Sequence, residues 1–496
     1  MEKFDVIIIG SGLGGLVSGN ILSKEGLKVC VLEKNGRIGG TLQSFAKEGT
    51  IFNTGLNYTE SLGKGEILYR YFNYLGLMDA LKIQRLDIDS FDKISFGNDD
   101  AEYHFAQGHD YFVERLTEYF PKERENLQNY IHQMGAVCNS FPLYSLDASQ
   151  TDFSVLEKQQ SVSGFLKSCT SNQKLQKVLA GMSSLYAGVE DETPMYIHSL
   201  INYSFIKSAW RFVNGSSQLA TLLAKGIAQN GGIVQKKSKV VALSGQENRI
   251  THVCLENGEQ LQANWIISNI HPASTLKLLP DGMVRKAYNN RILSLQNSVG
   301  MFSLYLVLKK ESLKQFNFNV HHFPNSNVWG TNYIEKNWPE HFMLYSPANS
   351  KAVDFANGLV VLSYMKFEEL KKWQNTTRFN RPPEYYDFKN QKSEILLDAV
   401  SKKFPNIRGH IKSVYSATPL TYLDYTGTPE GSAYGIKKNA ENPMLSLILP
   451  RAKIGNLLFT GQNLNMHGIL GVTISAVACC QEIVGNGYLF NKIRNF

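Results

Sequence analysis

Short apolar runs of strand length alternate along this chain with longer amphipathic stretches. Phe4-Asp5-Val6-Ile7-Ile8-Ile9 is one apolar run, and Lys28-Val29-Cys30-Val31-Leu32-Glu33 is the next. The helix-length segment between them predicts one βαβ unit at the start of the chain. From about residue 76 to 205 the pattern is mostly helical, with polar faces and spaced apolar positions in 112–120 and 123–134. Gly215-Ser216-Ser217-Gln218 opens a further predicted helix over 219–230. Strand-like runs follow at 233–234, 239–243, 250–255 and 265–268, with Asn257-Gly258 as a hairpin turn. They read as a β-meander returning to the first sheet. Residues 285–415 alternate strands, such as 303–308 and 359–364, with loops and helices, which predicts a mixed sheet. Near the end, 456–460 reads as a short buried strand, and 473–484 as a helix of small residues stopped near Gly485.

The turn after the first strand is Gly10-Ser11-Gly12-Leu13-Gly14-Gly15. In a strand–turn–helix context these glycines allow a tight turn, a pyrophosphate close to the backbone, and a helix packed closely on the strand. The helix start offers free N–H groups to phosphates. Glu33 ends the second strand at about the ~20-residue spacing of a carboxylate that takes ribose hydroxyls, and an acid there disfavours a 2′-phosphate. The chain continues Lys34-Asn35-Gly36-Arg37-Ile38-Gly39-Gly40-Thr41. A second glycine pair permits another close backbone approach, and Arg37 is placed for phosphate contact. This cradle is larger than a nicotinamide dinucleotide needs, and FAD is the expected cofactor.

The far end supplies an independent piece. The strand at 456–460 breaks at Gly461-Gln462, passes His467 and enters Gly468-Ile469-Leu470-Gly471-Val472 before the small-residue helix. A glycine break before a helix again aims N–H groups at something held close, as an isoalloxazine ring requires where reduction places negative charge. His467 beside this loop is a weak catalytic candidate.

Composition narrows the class. The chain has 496 residues, 43% hydrophobic and 19% charged, so a large folded core is expected. Its net charge of +8 comes without dense basic tracts or nucleic-acid motifs, so no nucleic acid is expected. The basic balance is compatible with docking on anionic lipid. Cys30, Cys138, Cys169, Cys254, Cys479 and Cys480 are scattered without metal spacing and read as free thiols, mostly buried. No Ser-His-Asp order and no metal set is visible, and the adjacent His321 and His322 would face opposite ways in a strand. A strand at the very start leaves no room for a signal peptide, and no run of ~18 apolar residues occurs. The expectation is a cytoplasmic protein, resting at most on a membrane. Aromatic runs such as Tyr69-Arg70-Tyr71-Phe72-Asn73-Tyr74 and Tyr385-Tyr386 tilt the substrate toward an apolar one held in an aromatic tunnel.

These blocks resemble the FAD-binding segments of the phytoene desaturase, carotenoid isomerase and retinol saturase family. Gly49-Thr50-Ile51-Phe52-Asn53-Thr54-Gly55-Leu56-Asn57-Tyr58 is similar to that family's G-x-x-F-D-x-G-x-H-Y block, and Gly431-Ser432-Ala433-Tyr434-Gly435 after Thr418-Pro419 to its late T-P … G-x-x-Y-G segment. Asn53 and Asn57 depart from the family's acid and histidine. The resemblance implies an α/β architecture: a Rossmann-like FAD domain from 1–75, 205–285 and 416–496, interleaved with an α+β substrate domain from 76–204 and 286–415 with a helical, membrane-facing part. It implies FAD contacts from Gly10, Ser11, Gly12, Gly14, Gly15, Glu33, Lys34, Arg37, Gly39, Gly40, Thr41, Gly461, Gln462, Gly468, Leu470, Gly471 and Val472. Val240 falls where a backbone segment lines the adenine pocket. His467 and Asn57 are weak catalytic candidates. The implied activity is desaturation, saturation or cis–trans isomerisation of a long isoprenoid by hydride exchange with flavin N5, with the electron partner unspecified. The alternatives are a flavin amine oxidase, or a flavin-free prenyl-binding protein resembling GDP dissociation inhibitors.

Overall fold

The computed structural model describes residues 3–147, 160–351 and 353–496. Apolar runs buried on both faces form its first sheet, as parallel strands covered by helices require. Ile233–Gln235, Val29–Leu32, Lys3–Ile9, Gln260–Ser268 and Leu457–Phe459 run parallel in that order. Gln260–Ser268 also ends an antiparallel meander with Val240–Gln246 and Arg249–Leu255, turned at Gly258 with φ +88°. The first helix, Leu13–Lys24, is buried along nearly its whole length between this sheet and two helices, Ser217–Gln229 and Gly468–Val484. Gly19 makes the closeness possible: a Cβ there would lie 2.9 Å from Ile227 and 3.0 Å from Val31.

The second sheet has seven strands in the order Ile411–Ala417, Gly300–Leu308, Gly358–Met365, Phe342–Tyr345, Asn319–Phe323, Asp92–Phe96 and Asp99–Phe105. It is mixed, because Asn319–Phe323 and Asp92–Phe96 pair in parallel while its other pairs are antiparallel. Its last two strands correct the expectation of a mostly helical 76–205. They alternate polar and apolar residues, with Ile94, Phe96, Tyr103 and Phe105 buried. Helices do occupy His109–Tyr119 and Arg124–Asn139. The strand Ile411–Ala417 runs across the expected border at 415/416, since it pairs along Gly300–Leu308. Two small sheets join the large ones: Ser44–Lys47 with Thr50–Asn53, and Ala209–Phe212 between Thr59–Glu60 and Ile83–Arg85.

Two further expectations change. The last helix begins at Gly468, so Gly468 to Val472 form its first turns rather than a loop before it. The aromatic run at 69–74 lies in the helix Ile67–Tyr74, where Tyr71, Phe72 and Tyr74 are buried in the core and Tyr74 donates to Glu25. Tyr385 packs on Trp373. Neither run lines the cavity described below. Cys30, Cys138, Cys169, Cys479 and Cys480 are buried free thiols and Cys254 is partly so. Burial pushes the Cys480 thiol up to about 12, so it stays protonated and unreactive. No helix among the described residues is long and apolar enough to cross a membrane.

Candidate active site

The opening glycine turn forms at the C-terminal edge of the parallel sheet. Gly10 takes φ +95°, and its N–H donates to the Leu32 carbonyl at 2.8 Å. Gly15 is held to zero side chain, since a Cβ would lie 2.0 Å from the Gly10 carbonyl oxygen. Among the described residues the amides of Leu13, Gly14 and Gly15 have no acceptor, as first-turn amides lack one within a helix. The second pair folds back on the first. Gly39 N–H donates to the Ser11 carbonyl at 3.0 Å, and Gly39 and Gly40 take φ +104° and +55°. Glu33 is buried at the end of its strand. Its Oε2 accepts from Ser11 N–H at 3.2 Å and Ser11 Oγ at 2.6 Å, and its Oε1 from Asn35 N–H at 2.8 Å. The Glu33 carbonyl accepts from the N–H of Ser238, two residues before Val240, at 2.8 Å. Lys34, Arg37 and Thr41 are exposed around this groove.

Asn269, which sequence reasoning missed, joins the two ends of the chain. It follows Gln260–Ser268, and its side chain occupies the space the glycines leave. A Cβ on Gly12 would lie 2.7 Å from Asn269 Nδ2, and on Gly14 or Gly461 it would lie 2.5 or 2.7 Å from Asn269 Oδ1. A Cβ on Gly14 would also be 3.0 Å from Gly461 Cα. Residues 10–15 and 461 thus pack directly together. Gly461, φ +100°, exchanges hydrogen bonds with Ser475 Oγ at 3.2 Å. Gln462 is half-buried beside it, Gly468 opens the helix at φ +79°, and Gly471 and Val472 are buried in it. The Leu470 amide donates to buried Glu60 at 3.3 Å, and burial raises the Glu60 carboxyl above the usual carboxylate range. Glu60 carried no motif signal.

A cavity of about 750 Å³ abuts this region. His467 and Tyr434 line one part of it, their rings 4.4 Å apart, together with Tyr186 and Ile197. Elsewhere the wall carries Glu192, Glu368, Glu430, Lys366, Lys437 and Lys438, so it is not the aromatic tunnel expected from the sequence. His467 Nε2 donates to the Leu185 carbonyl at 2.9 Å, which leaves Nδ1 without a proton. Burial pulls its pKa down to about 4, so the ring is neutral near pH 7. Lys438, pulled by burial to about 7, donates to the carbonyls of Ser446, Asn463 and Leu464 at 2.9, 3.4 and 2.6 Å.

The block at 49–58 has two structural roles. Asn53 Oδ1 accepts from Ser44 Oγ, Ser216 N–H and Ser216 Oγ at 3.0, 2.9 and 3.1 Å, pinning the helix start at Ser216. Asn57 Oδ1 accepts from Tyr345 OH at 2.7 Å, joining the block to the second sheet. Behind it lies a buried network. Asp92 accepts from Tyr58 OH at 2.8 Å and Asn319 Nδ2 at 2.6 Å, with His321 Nε2 3.4 Å away. Arg211 donates to Asn319 and lies 5.0 Å from the Tyr345 ring centre. Burial pulls the guanidinium down to about 10, where it is still charged near neutral pH. No sequence signal marked Arg211 or Asp92. His321 and His322 do face apart, toward Ser184 and Ser95.

A family model described as "Flavin containing amine oxidoreductase" matches residues 13–484. The chain belongs to that family. A flavin held on a dinucleotide-type βαβ unit is FAD, and this family member is an FAD-dependent oxidoreductase. The residues present fit that group: free first-turn amides, a glycine cradle and an acid at the strand end. The chain is 26% identical to human all-trans-retinol 13,14-reductase, over 100% of its own length and 87% of that protein's. It is 22% identical to a chloroplastic prolycopene isomerase of Daucus carota, over 98% and 80%. Solved structures share the fold: an oxidoreductase from Methanosarcina mazei at TM-score 0.66 and 16% identity, covering 96% and 99% of the two chains. A putrescine oxidase bound to putrescine does so at TM-score 0.64 and 13% identity, covering 97% and 99%.

Proposed function

We propose that this chain desaturates, saturates or isomerises a carbon–carbon double bond of an isoprenoid, with FAD held between its two ends. The observation that carries the reading is the position of the cavity: His467 lines it and immediately precedes the helix that Asn269 and Gly461 bring against the first glycine turn. In this reading residues 10–15 cradle the pyrophosphate, Glu33 takes the ribose hydroxyls, and residues 39–41 with Lys34 and Arg37 close over the phosphates. The segment at 238–240 lines the adenine, while Gly461, Gln462 and the helix start from Gly468 to Val472 face the ring. The domain division given above goes with it, with the border at 415/416 moved past the strand Ile411–Ala417, which pairs in the second sheet. When bound, FAD supplies hydride exchange with a substrate carbon.

The protein's share is placement. His467 is neutral with Nε2–H on a carbonyl, so it orients the cavity wall and has no proton to give from that nitrogen. Tyr434 OH is tied to the Ser184 carbonyl at 2.7 Å, and Tyr58 OH to Asp92. The His467 and Tyr434 bonds fix two side chains of the cavity wall, which supports catalysis by alignment and water exclusion. The mixed lining supports an isoprenoid with a polar end over a bare hydrocarbon. The names of the relatives, a retinol reductase and prolycopene isomerases, support the isoprenoid class, whereas the amine oxidase alternative is supported by the family description and by a fold shared with a putrescine oxidase.

The test is incubation of oxidised and of reduced holoenzyme with retinoids, carotenoids and other polyene lipids, followed by product masses. A gain of two hydrogens marks a saturase, a loss a desaturase, and altered retention at constant mass an isomerase. Unaltered polyenes throughout would refute the reading.

A further inference from the structure

Three leucines and a methionine stand in solvent beside the cavity: Met444 is 63% exposed, Leu445 49%, Leu449 62% and Leu293 44%. Clustered exposed apolar side chains mark interaction surfaces. The first three belong to one short segment, the helical turn Pro443–Ser446 and the coil after it, bracketed by Pro443 and Pro450, which lose little freedom on contact. Arg291, in the helix Lys286–Leu293, ties the two segments by donating to the carbonyls of Leu445 and Leu447 at 2.9 and 3.2 Å.

The charge around this segment is one-sided. Over residues 277–293 and 441–453, Lys277, Arg285, Lys286, Arg291, Arg451 and Lys453 stand against Asp281 and Glu441. Arg451 is paired with Glu482, and none of the other five has a carboxylate partner among the described residues. The same segments continue into the cavity. Residues 296–300, which line it, follow the helix that ends at Leu293, and Lys438, which also lines it, holds the Ser446 carbonyl.

We propose that this face docks on an anionic lipid bilayer, with Met444, Leu445 and Leu449 entering the interface and the cationic collar meeting the headgroups. Apolar side chains inside a basic rim are the pattern of interfacial binding, and neither half alone anchors strongly. The proposal rests on the isoprenoid reading for its purpose, because a substrate of that class is dissolved in the bilayer, and the docking face borders the cavity that would receive it. It places membrane contact at 286–293 and 443–449 rather than on the helical part of 76–204.

Flotation of FAD-loaded protein with vesicles tests it without any substrate. The protein is expected to float with phosphatidylcholine–phosphatidylserine vesicles, less so at high salt, and at least tenfold less with phosphatidylcholine alone. Met444→Ser/Leu445→Ser/Leu449→Ser and, separately, Arg285→Glu/Lys286→Glu are expected to lower flotation at least tenfold while keeping bound flavin and thermal midpoint. Flotation equal on both vesicle types, unchanged in the serine variant, or absent in the wild type would overturn the proposal. So would a dimer, seen by light scattering, that the serine variant abolishes while flotation persists, since the face would then belong to a second copy. A protein that floats but converts no polyene breaks the functional reading alone, and one that converts dispersed polyenes yet ignores vesicles breaks only the docking.

Discussion

Glu33 ends its strand with both carboxylate oxygens engaged, one by Ser11 and the other by the Asn35 amide. That fixes the acid at the mouth of the groove, where charge-assisted bonds to ribose hydroxyls are strongest. Glu33→Ala is expected to cut the flavin carried through purification at least tenfold, read as visible absorbance per protein, and unchanged occupancy would refute the ribose assignment. Asp92 anchors a buried network instead. It accepts from Tyr58 and Asn319, and Asn319 in turn accepts from buried Arg211, so Asp92→Asn is expected to cost about 1–3 kcal/mol in stability by leaving buried polar groups poorly paired. A loss under about 1 kcal/mol would show that the network does not depend on the carboxylate. Glu33 and the glycines were legible because each stands at a fixed sequence offset in a strand–turn–helix–strand pattern. Asn269, Glu60, Asp92 and Arg211 were not, because each acts through partners far away in sequence that only the fold brings near.

Among the elements, the βαβ unit and the meander were legible because their apolar runs are long and cleanly punctuated by glycine. The hairpin at 92–105 was hidden. Its two strands are short, carry Asp92, Lys93, Asp99, Asp100 and Glu102, and lie just before helices of similar polarity. The C-terminal helix starts five residues earlier than its small-residue run suggested, because a positive φ at Gly468 lets the chain turn directly into it. The first helix is the least forgiving element. Gly15→Ala puts a methyl against the Gly10 carbonyl, a backbone atom that cannot rotate away, so the helix must lift off its strand. A cost of about 1–3 kcal/mol is expected from such overpacking, together with loss of FAD. Retention of both wild-type stability and flavin would contradict the packing account. Gly409→Ala, where no heavy atom lies within 4 Å and φ is not positive, serves as the unstrained control.

At the scale of the molecule, the two ends of the chain close on Asn269, and the proposed function puts FAD at that closure and substrate selection in the second sheet and its cavity. Burial keeps many histidines neutral: His198 is pulled to about 3, and His271, His322 and His467 to about 4, against an ordinary 6.5. Because these folded-state values are depressed, the unfolded chain binds more protons between about pH 6.5 and 4, and stability is lost as pH falls through that window. The urea midpoint is expected to fall steeply from pH 7 to pH 5, and an unchanged midpoint would mean that these rings are hydrated and free to charge. The parallel sheet was readable from the sequence as a repeating strand–turn pattern, while the cavity was not, since its wall mixes segments from 186–197, 296–300, 331–332, 366–368 and 430–438.

The central claim is that FAD in this chain exchanges hydride with isoprenoid carbon. Its most direct test is an anaerobic single turnover: reduced holoenzyme is mixed with retinoid or carotenoid, and oxidised holoenzyme with the same lipids or with alkylamines, while the flavin's visible band is followed. The account predicts either that an isoprenoid changes the flavin's redox state in at least one direction with a matching change of two hydrogens in the lipid, or, for an isomerase, that a geometric isomer forms only with reduced enzyme while the flavin ends reduced. Reduction of the flavin by alkylamines, with the isoprenoids unaltered in either redox state, would contradict it.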